Sequence, residues 1–106
     1  MKDQMNYVYL MQSLENSYYK IGVSKSPNLR REQLNTGNPE PIKLIETYQS
    51  DIAYKIEKVL HRRYAHARKN NEWFDLSIVE EAKFVESCEK IDKAIKMLSQ
   101  MNNSFV

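Results

Sequence analysis

Four side chains within residues 9–57 have the chemistry that attack on a phosphodiester requires: Tyr9, Lys20, Arg30 and Glu57. Such a reaction needs a nucleophilic water, an electrophile on the phosphate and a group that steadies the leaving oxygen. A guanidinium grips phosphate through two hydrogen bonds, and one carboxylate with several waters commonly holds magnesium. A phenol, with an ordinary pKa of about 10, acts as a base at neutral pH only beside a cation.

The elements that position the first three of these residues follow from local sequence signals. Residues 7–11 and 18–24 are rich in aromatic and β-branched side chains, and the polar stretch between them predicts a β-hairpin. Pro27 suits the first turn of a helix that ends within residues 35–39, where Gly and Pro follow the last turn. Alternating apolar residues predict a third strand over residues 41–48.

Helical spacing dominates the second half of the chain. Apolar residues predict one helix over residues 52–67 and a long helix over residues 79–100, with residues 72–76 packing over the sheet between them. The long helix carries an apolar stripe in steps of four and three: Phe84, Cys88, Ile91, Ile95 and Leu98. The predicted class is α+β, with a small three-stranded antiparallel sheet flanked by helices. Residues 1–77 are expected to form the main domain, and residues 78–106 a helical extension packed on it.

Charge is distributed unevenly along the chain. Residues 20–69 hold eleven Lys and Arg against five Asp and Glu, a net charge of +6, whereas residues 70–106 carry −3. A basic middle region is suited to a polyanion, although solvated helix faces also carry such clusters. Cys88 is a single cysteine, so we expect an intracellular, cytoplasmic protein without an internal disulfide. The sequence has no apolar run long enough to span a membrane and no signal peptide at its N-terminus, so no membrane partner is expected.

The order of the motifs resembles that of GIY-YIG nucleases, and in particular a phage- and virus-rich branch of that superfamily. The similarity covers residues 6–77, with Tyr7 in place of the usual first glycine and Lys20 where the second tyrosine usually stands. The motifs that carry it are Tyr7-Val8-Tyr9, Tyr19-Lys20-Ile21-Gly22-Val23-Ser24, Arg30, residues 33–39, Glu57-x-x-x-His61 and Glu72-Trp73-Phe74. The resemblance implies a metal-dependent endonuclease that hydrolyses phosphodiester bonds in DNA.

The resemblance also implies a role for each site residue. Tyr9 is the general-base or water-orienting tyrosine, Arg30 and Lys20 balance phosphate charge, and Glu57 binds a divalent cation, Mg²⁺ or Mn²⁺. His61, one helical turn after Glu57, is an auxiliary that shuttles a proton or contacts phosphate. Zinc is rejected because His61, His66 and Cys88 are too few ligands. Five further residues are predicted to contact nucleic acid: Tyr19, Lys25, Arg31, Lys58 and Arg62.

Two other functions remain open from the sequence. Lys20 in the second motif is compatible with a nuclease-like domain that binds DNA but has lost catalysis. The apolar stripe from Phe84 to Leu98 is compatible with a homodimeric interaction protein. Strand alternation adds one constraint, because Tyr19 and Lys20 must point to opposite faces and cannot both reach one phosphate.

Overall fold

The computed structural model describes residues 5–36 and 41–104. Part of the segment predicted to end the first helix, residues 37–39, lies outside these ranges. The described part of the chain forms five strands, four α-helices and one short 3-10 turn. In chain order these are β1 (Asn6–Ser13), β2 (Tyr19–Ser24), α1 (Pro27–Thr36), β3 (Ile42–Ser50), α2 (Ala53–Arg63), the 3-10 turn (Ala65–Ala67), β4 (Arg68–Asn70), β5 (Trp73–Phe74), α3 (Ile78–Ala82) and α4 (Phe84–Ser104).

The sheet has five antiparallel strands in the order β3-β1-β2-β5-β4. The prediction of a three-stranded sheet is therefore wrong, while the α+β class is confirmed. The two additional strands are only two and three residues long and form a tight hairpin around Asn71, whose φ is 45°. Such short segments carry no periodicity of their own, and pairing of β5 with β2 is what makes them part of the sheet.

The helices also differ in their limits from the prediction. The helix predicted over residues 52–67 ends at Arg63 and continues as the 3-10 turn. The helix predicted over residues 79–100 is two helices, which meet at Lys83. Ser77 begins α3 with a capping box: its hydroxyl accepts the Glu80 backbone N–H at 3.1 Å, and the Glu80 carboxylate accepts that of Ser77 at 2.8 Å.

Helices cover both faces of the sheet. On one face, Val8, Leu10 and Ile21 join apolar residues of α2 and α4 in the main core. On the other face, Tyr9 and Met11 pack with Leu34 of α1 in a smaller cluster. Strand alternation explains this division, since neighbouring residues of β1 point to opposite faces. Tyr9 is therefore on the face that α1 covers.

The last helix is anchored to the sheet by polar contacts as well as by its apolar stripe. The Tyr48 hydroxyl on β3 donates to the Asp92 carboxylate at 2.8 Å, and Lys96 pairs with Asp92 at 3.1 Å and with Asp51 at 2.9 Å. Phe84, Cys88 and Ile91 of the stripe are buried in the main core, whereas Leu98 is 59% exposed. Packing on its own domain accounts for the first part of the stripe, and a homodimer stays a prediction.

Candidate active site

Tyr9 lies on the central part of the sheet, where β1 is paired on both sides. Its backbone is opposite Gly22 on β2 and Thr47 on β3, and its side chain is only 2% exposed. A Cβ added at Gly22 would lie 2.5 Å from Cζ of Tyr9, far inside van der Waals contact. Gly22 thus leaves the space that the Tyr9 ring occupies.

Arg30 reaches the Tyr9 hydroxyl from the first turns of α1. Its guanidinium lowers the pKa of the phenol through hydrogen bonding and through its positive charge, and because arginine can only donate, the Tyr9 hydrogen is left for another acceptor. Burial raises the pKa of Tyr9, the bond from Arg30 lowers it, and the negative charges of Glu72 and Glu57 raise it again. The net pKa is above its ordinary value, so Tyr9 is a protonated phenol at neutral pH.

A cavity of about 430 Å³ opens between α2 and the turn before β5 and is here called the carboxylate cavity. Its lining residues come from α2 and from the turn before β5: Glu57, Lys58, His61, Arg62 and Glu72. Burial raises the pKa of Glu57, as does the charge of Glu72, while His61 and the positive charges of Lys20 and Lys58 oppose the shift. The charge of Glu57 is also among the influences that raise the pKa of Tyr9.

His61 is held at the edge of the carboxylate cavity by contacts on two sides. Its Nε2 is 2.9 Å from the backbone oxygen of Ile21, and its ring meets the Phe74 ring edge-on at 5.1 Å between centroids. A carbonyl oxygen only accepts, so Nε2 carries the hydrogen and Nδ1 is the nitrogen left to accept one. The Glu57 carboxylate is 3.9 Å from Nε2, one helical turn away as the sequence spacing predicts.

Lys20 and Tyr19 point to opposite faces of β2, as strand alternation predicts. The Lys20 ammonium pairs with the Glu72 carboxylate at 2.7 Å and lies 5.7 Å from the centre of the Trp73 ring. Tyr19 instead belongs to the main core, where its hydroxyl donates to Glu81. Burial, with the Glu81 contact and charge, raises the pKa of Tyr19 to about 12. The structure thus places Tyr19, predicted to contact nucleic acid, away from the site.

A family model for the T5orf172 domain matches residues 5–99, nearly the whole chain. The chain belongs to the T5orf172 domain family. This phage-associated domain is related to nuclease-like folds of the GIY-YIG type, which is a coarser relation than the specific GIY-YIG assignment made from the motifs. Comparison with curated proteins and comparison with solved structures each gave no significant match. Throughout the described ranges of this T5orf172 domain, no helix is both long and apolar enough to cross a membrane.

The other predicted nucleic-acid contacts of the T5orf172 domain are spread over two helices and a loop. Lys58 and Arg62 are exposed and line the carboxylate cavity. Lys25 is exposed at the end of β2, beside a different cavity, and Arg31 is half-buried on α1 next to Arg30. The predicted contacts Lys58 and Arg62 therefore lie at one cavity and Lys25 at another.

Glu72 is the site residue that sequence reasoning missed. It was noted only as part of a Glu-Trp-Phe motif, and its position was not connected with Lys20. The clue available was that an acid directly precedes a two-residue aromatic strand, but pairing of β5 with β2 could not be read from so short a segment. The backbone confirms that pairing, since Ile21 N–H donates to the Glu72 carbonyl at 3.3 Å.

The donor set of the T5orf172 domain can be compared with what a divalent cation requires. Nowhere in residues 5–36 and 41–104 do three or more His, Cys, Asp or Glu converge as metal ligands. Two carboxylates, Glu57 and Glu72, do line one cavity. Mg²⁺ is usually held by one or two carboxylates together with waters and substrate phosphates. The residues present therefore fit Mg²⁺ or Mn²⁺ bound together with a phosphate.

Proposed function

We propose that this domain is a metal-dependent endonuclease that hydrolyses phosphodiester bonds in DNA. The observation that carries the proposal is the carboxylate cavity, where Glu57, Glu72 and His61 lie together with two exposed cations and where Glu72 pairs with Lys20 of the strand next to Tyr9. The pKa of Tyr9 responds to Arg30, Glu72 and Glu57, which supports action of the phenol, the guanidinium and the carboxylates on one phosphate. The relation of the T5orf172 domain to nuclease-like folds supports the same chemistry.

Charge balance is the proposed role of the cations. Arg30 is permanently charged and can hold a phosphate through two N–H groups while it keeps its bond to Tyr9. Lys58 and Arg62 offer further positive charge at the mouth of the carboxylate cavity. Lys20 is already paired with Glu72, so its charge is available to a phosphate only if Glu72 turns to another partner.

Glu57 is the proposed metal ligand, and Glu72 is a second carboxylate on the same cavity. A bound Mg²⁺ or Mn²⁺ would polarise the phosphate and acidify a water molecule. The raised pKa of Glu57 reflects a carboxylate that is poorly solvated, and such a carboxylate gains when a cation replaces the missing water.

Tyr9 is proposed to orient the attacking water or a phosphate oxygen. Because its pKa is raised, it is a hydrogen-bond donor in the free protein, and it assists deprotonation only when positive charge collects near its oxygen. His61 has Nδ1 available to receive a proton, since its Nε2–H is engaged by Ile21. The contacts of His61 with the Ile21 carbonyl and the Phe74 ring orient its imidazole and so position Nδ1.

Plasmid nicking tests the proposal directly. Supercoiled plasmid is incubated with the protein and Mg²⁺ or Mn²⁺, in parallel with Glu57→Gln and Arg30→Ala. We expect metal-dependent nicking that both substitutions abolish and that EDTA stops. Glu89→Gln and Arg63→Ala are matched controls, because both residues are exposed, neither lines the carboxylate cavity and neither is Tyr9 or Arg30. Nicking that survives in Glu57→Gln and Arg30→Ala would contradict the proposed site.

A DNA-binding module without catalysis is the second candidate, and one observation favours it. Lys20 stands where the related nucleases usually have a tyrosine, and its charge is neutralised by Glu72 in the free protein. Such a module would bind DNA with an affinity that falls as salt rises, without cutting. The plasmid assay separates the two candidates. Plasmid that migrates more slowly with protein but is not nicked supports the module, and metal-dependent nicking supports the enzyme.

A further inference from the structure

A second cavity, of about 400 Å³, lies against β1 and β3 at the start of α1 and is here called the Tyr7 cavity. The residues that give it its chemistry come from β1, from the loop into α1, from α1 itself and from β3: Tyr7, Lys25, Ser26, Asn28 and Thr47. Its volume falls within the range of about 300–1,000 Å³ that is usual for small-molecule sites. The nuclease site described above uses none of these side chains.

The Tyr7 cavity adjoins Tyr9 along the strand and across the sheet. Tyr7 and Tyr9 are two residues apart on β1, so their side chains share a face and their Cα atoms are about 6.8 Å apart. Thr47 is opposite Tyr9 on β3, on the side away from Gly22 and β2. The carboxylate cavity lies on the β2 and β5 side, through Glu72. Tyr9 is therefore flanked in the sheet by Thr47, which lines the Tyr7 cavity, and by the strand whose Lys20 pairs with Glu72 of the carboxylate cavity.

The chemistry of the two cavities differs. Two acids, Glu57 and Glu72, line the carboxylate cavity. No Asp or Glu of the described ranges lines the Tyr7 cavity. The Tyr7 cavity instead offers one ammonium, three hydroxyl groups, a side-chain amide and an aromatic ring. Ammonium and hydroxyl groups contact the sugar and phosphate of nucleic acids, and aromatic rings stack on bases.

We propose that the Tyr7 cavity binds a nucleotide of the DNA strand that flanks the phosphate at Tyr9 and Arg30. Lys25 contacts a backbone phosphate of this nucleotide, the Tyr7 ring packs against its base, and Ser26, Asn28 and Thr47 bond its polar groups. The identity of the ligand rests on the proposed function, because Tyr7 and Thr47 adjoin Tyr9 in the sheet and a strand held at Tyr9 would pass close to them.

The experiment measures binding of a fluorescein-labelled oligodeoxynucleotide by anisotropy, in EDTA, over a series of salt concentrations. Lys25→Gln is expected to weaken binding several-fold and to reduce the slope of log affinity against log salt by about one. Tyr7→Leu is expected to weaken binding and leave the slope unchanged, because a stacking contact releases no counterions. Lys93→Gln, which removes an exposed lysine from α4, is the matched control and should alter neither quantity.

Cleavage measurements distinguish failure of this inference from failure of the proposed function. In a wild type that nicks plasmid, Lys25→Gln should raise KM and leave kcat unchanged. If the wild type cuts DNA and Lys25→Gln has the salt slope and KM of the wild type, the nucleotide site is refuted and the nuclease stands. If the wild type binds without cutting and Lys25→Gln lowers the slope, the nuclease is refuted and the nucleotide site stands. A wild type that does not bind DNA refutes both.

Discussion

The ammonium of Lys20 lies 2.7 Å from the carboxylate of Glu72, across the pairing of β2 with β5. The Lys20 side chain is 11% exposed and that of Glu72 is 43% exposed, so the ion pair is buried at the ammonium and open to solvent at the carboxylate. It joins the second motif of the chain to the Glu-Trp-Phe motif, and it holds one wall of the carboxylate cavity. The position that the resemblance to GIY-YIG nucleases assigns to a tyrosine is thus filled by one half of an ion pair.

Glu72→Gln should destabilise the protein by about 1 kcal/mol, because it leaves the buried Lys20 ammonium without its counter-charge while solvent around Glu72 screens part of the loss. Urea denaturation at neutral pH measures the change. A cycle with Lys20→Met and the double variant should give a coupling energy of the same size. Glu86→Gln, which breaks the exposed Lys90–Glu86 pair, is the control and should cause no measurable change. Independent effects of the two Lys20–Glu72 substitutions would contradict the coupling.

Gly22→Ala should destabilise the protein by about 1–3 kcal/mol, since the added methyl group meets the Tyr9 ring in a sheet that is covered on both faces. The same substitution in a Tyr9→Ala background should cost clearly less, because the obstructing ring is gone. Urea denaturation of the four proteins gives both costs. Equal costs in the two backgrounds would show that the glycine is required for the backbone and not for the phenol.

The first hairpin, α1, β3 and α2 could be predicted because each carries its own signal. Alternation marks the strands, a proline marks the start of α1, and apolar residues at helical spacing mark α2. The hairpin of β4 and β5 could not be predicted, because a two-residue strand such as Trp73–Phe74 depends on its pairing with Tyr19 and Lys20. The break between α3 and α4 at Lys83 could not be predicted either, because apolar residues at helical spacing continue through it.

The candidate site shows the same division between local and tertiary information. Alternation alone predicted that Tyr19 and Lys20 would face opposite ways. Which of the two shares the face of Tyr9 depends on the register of β1 with β2, in which Tyr9 is opposite Gly22 and Met11 is opposite Lys20. Glu72 was missed because its partner is 52 residues away in sequence. The residue types in the sequence indicated the chemistry of the site, whereas the contacts between these residues could be known only from the tertiary structure.

Asp92→Asn should destabilise the protein by about 1–3 kcal/mol at neutral pH, because Asp92 accepts the Tyr48 hydroxyl and pairs with Lys96. Burial raises the pKa of Asp92, but the bonds from Tyr48, Lys96 and Ser50 outweigh burial and the net pKa is lowered. A lowered pKa gives stability above the unfolded value of about 4, and that stability is lost as pH falls through the folded value. The difference between wild type and Asp92→Asn should therefore shrink in acid.

Urea denaturation of both proteins at neutral pH and in steps below about pH 4 tests this dependence. Asp75→Asn is the control, because Asp75 is exposed and its substitution should leave stability unchanged at each pH. If the loss of unfolding free energy in Asp92→Asn is the same at neutral and acid pH, Asp92 stabilises the protein through packing and not through its charge.

Tyr9→Phe should separate catalysis from stability. The hydroxyl bonds an exposed Arg30 that water can solvate in its absence, so the free energy of unfolding should change by no more than about 1 kcal/mol. Nicking should fall by at least about 100-fold, because the phenol that orients the reacting groups has lost its polar atom. Tyr54→Phe is the matched control, since Tyr54 is 60% exposed on α2 and should affect neither quantity. Metal-dependent nicking at the wild-type rate in Tyr9→Phe would remove Tyr9 from the site, and Arg30, Glu57 and His61 would then have to act without a phenol.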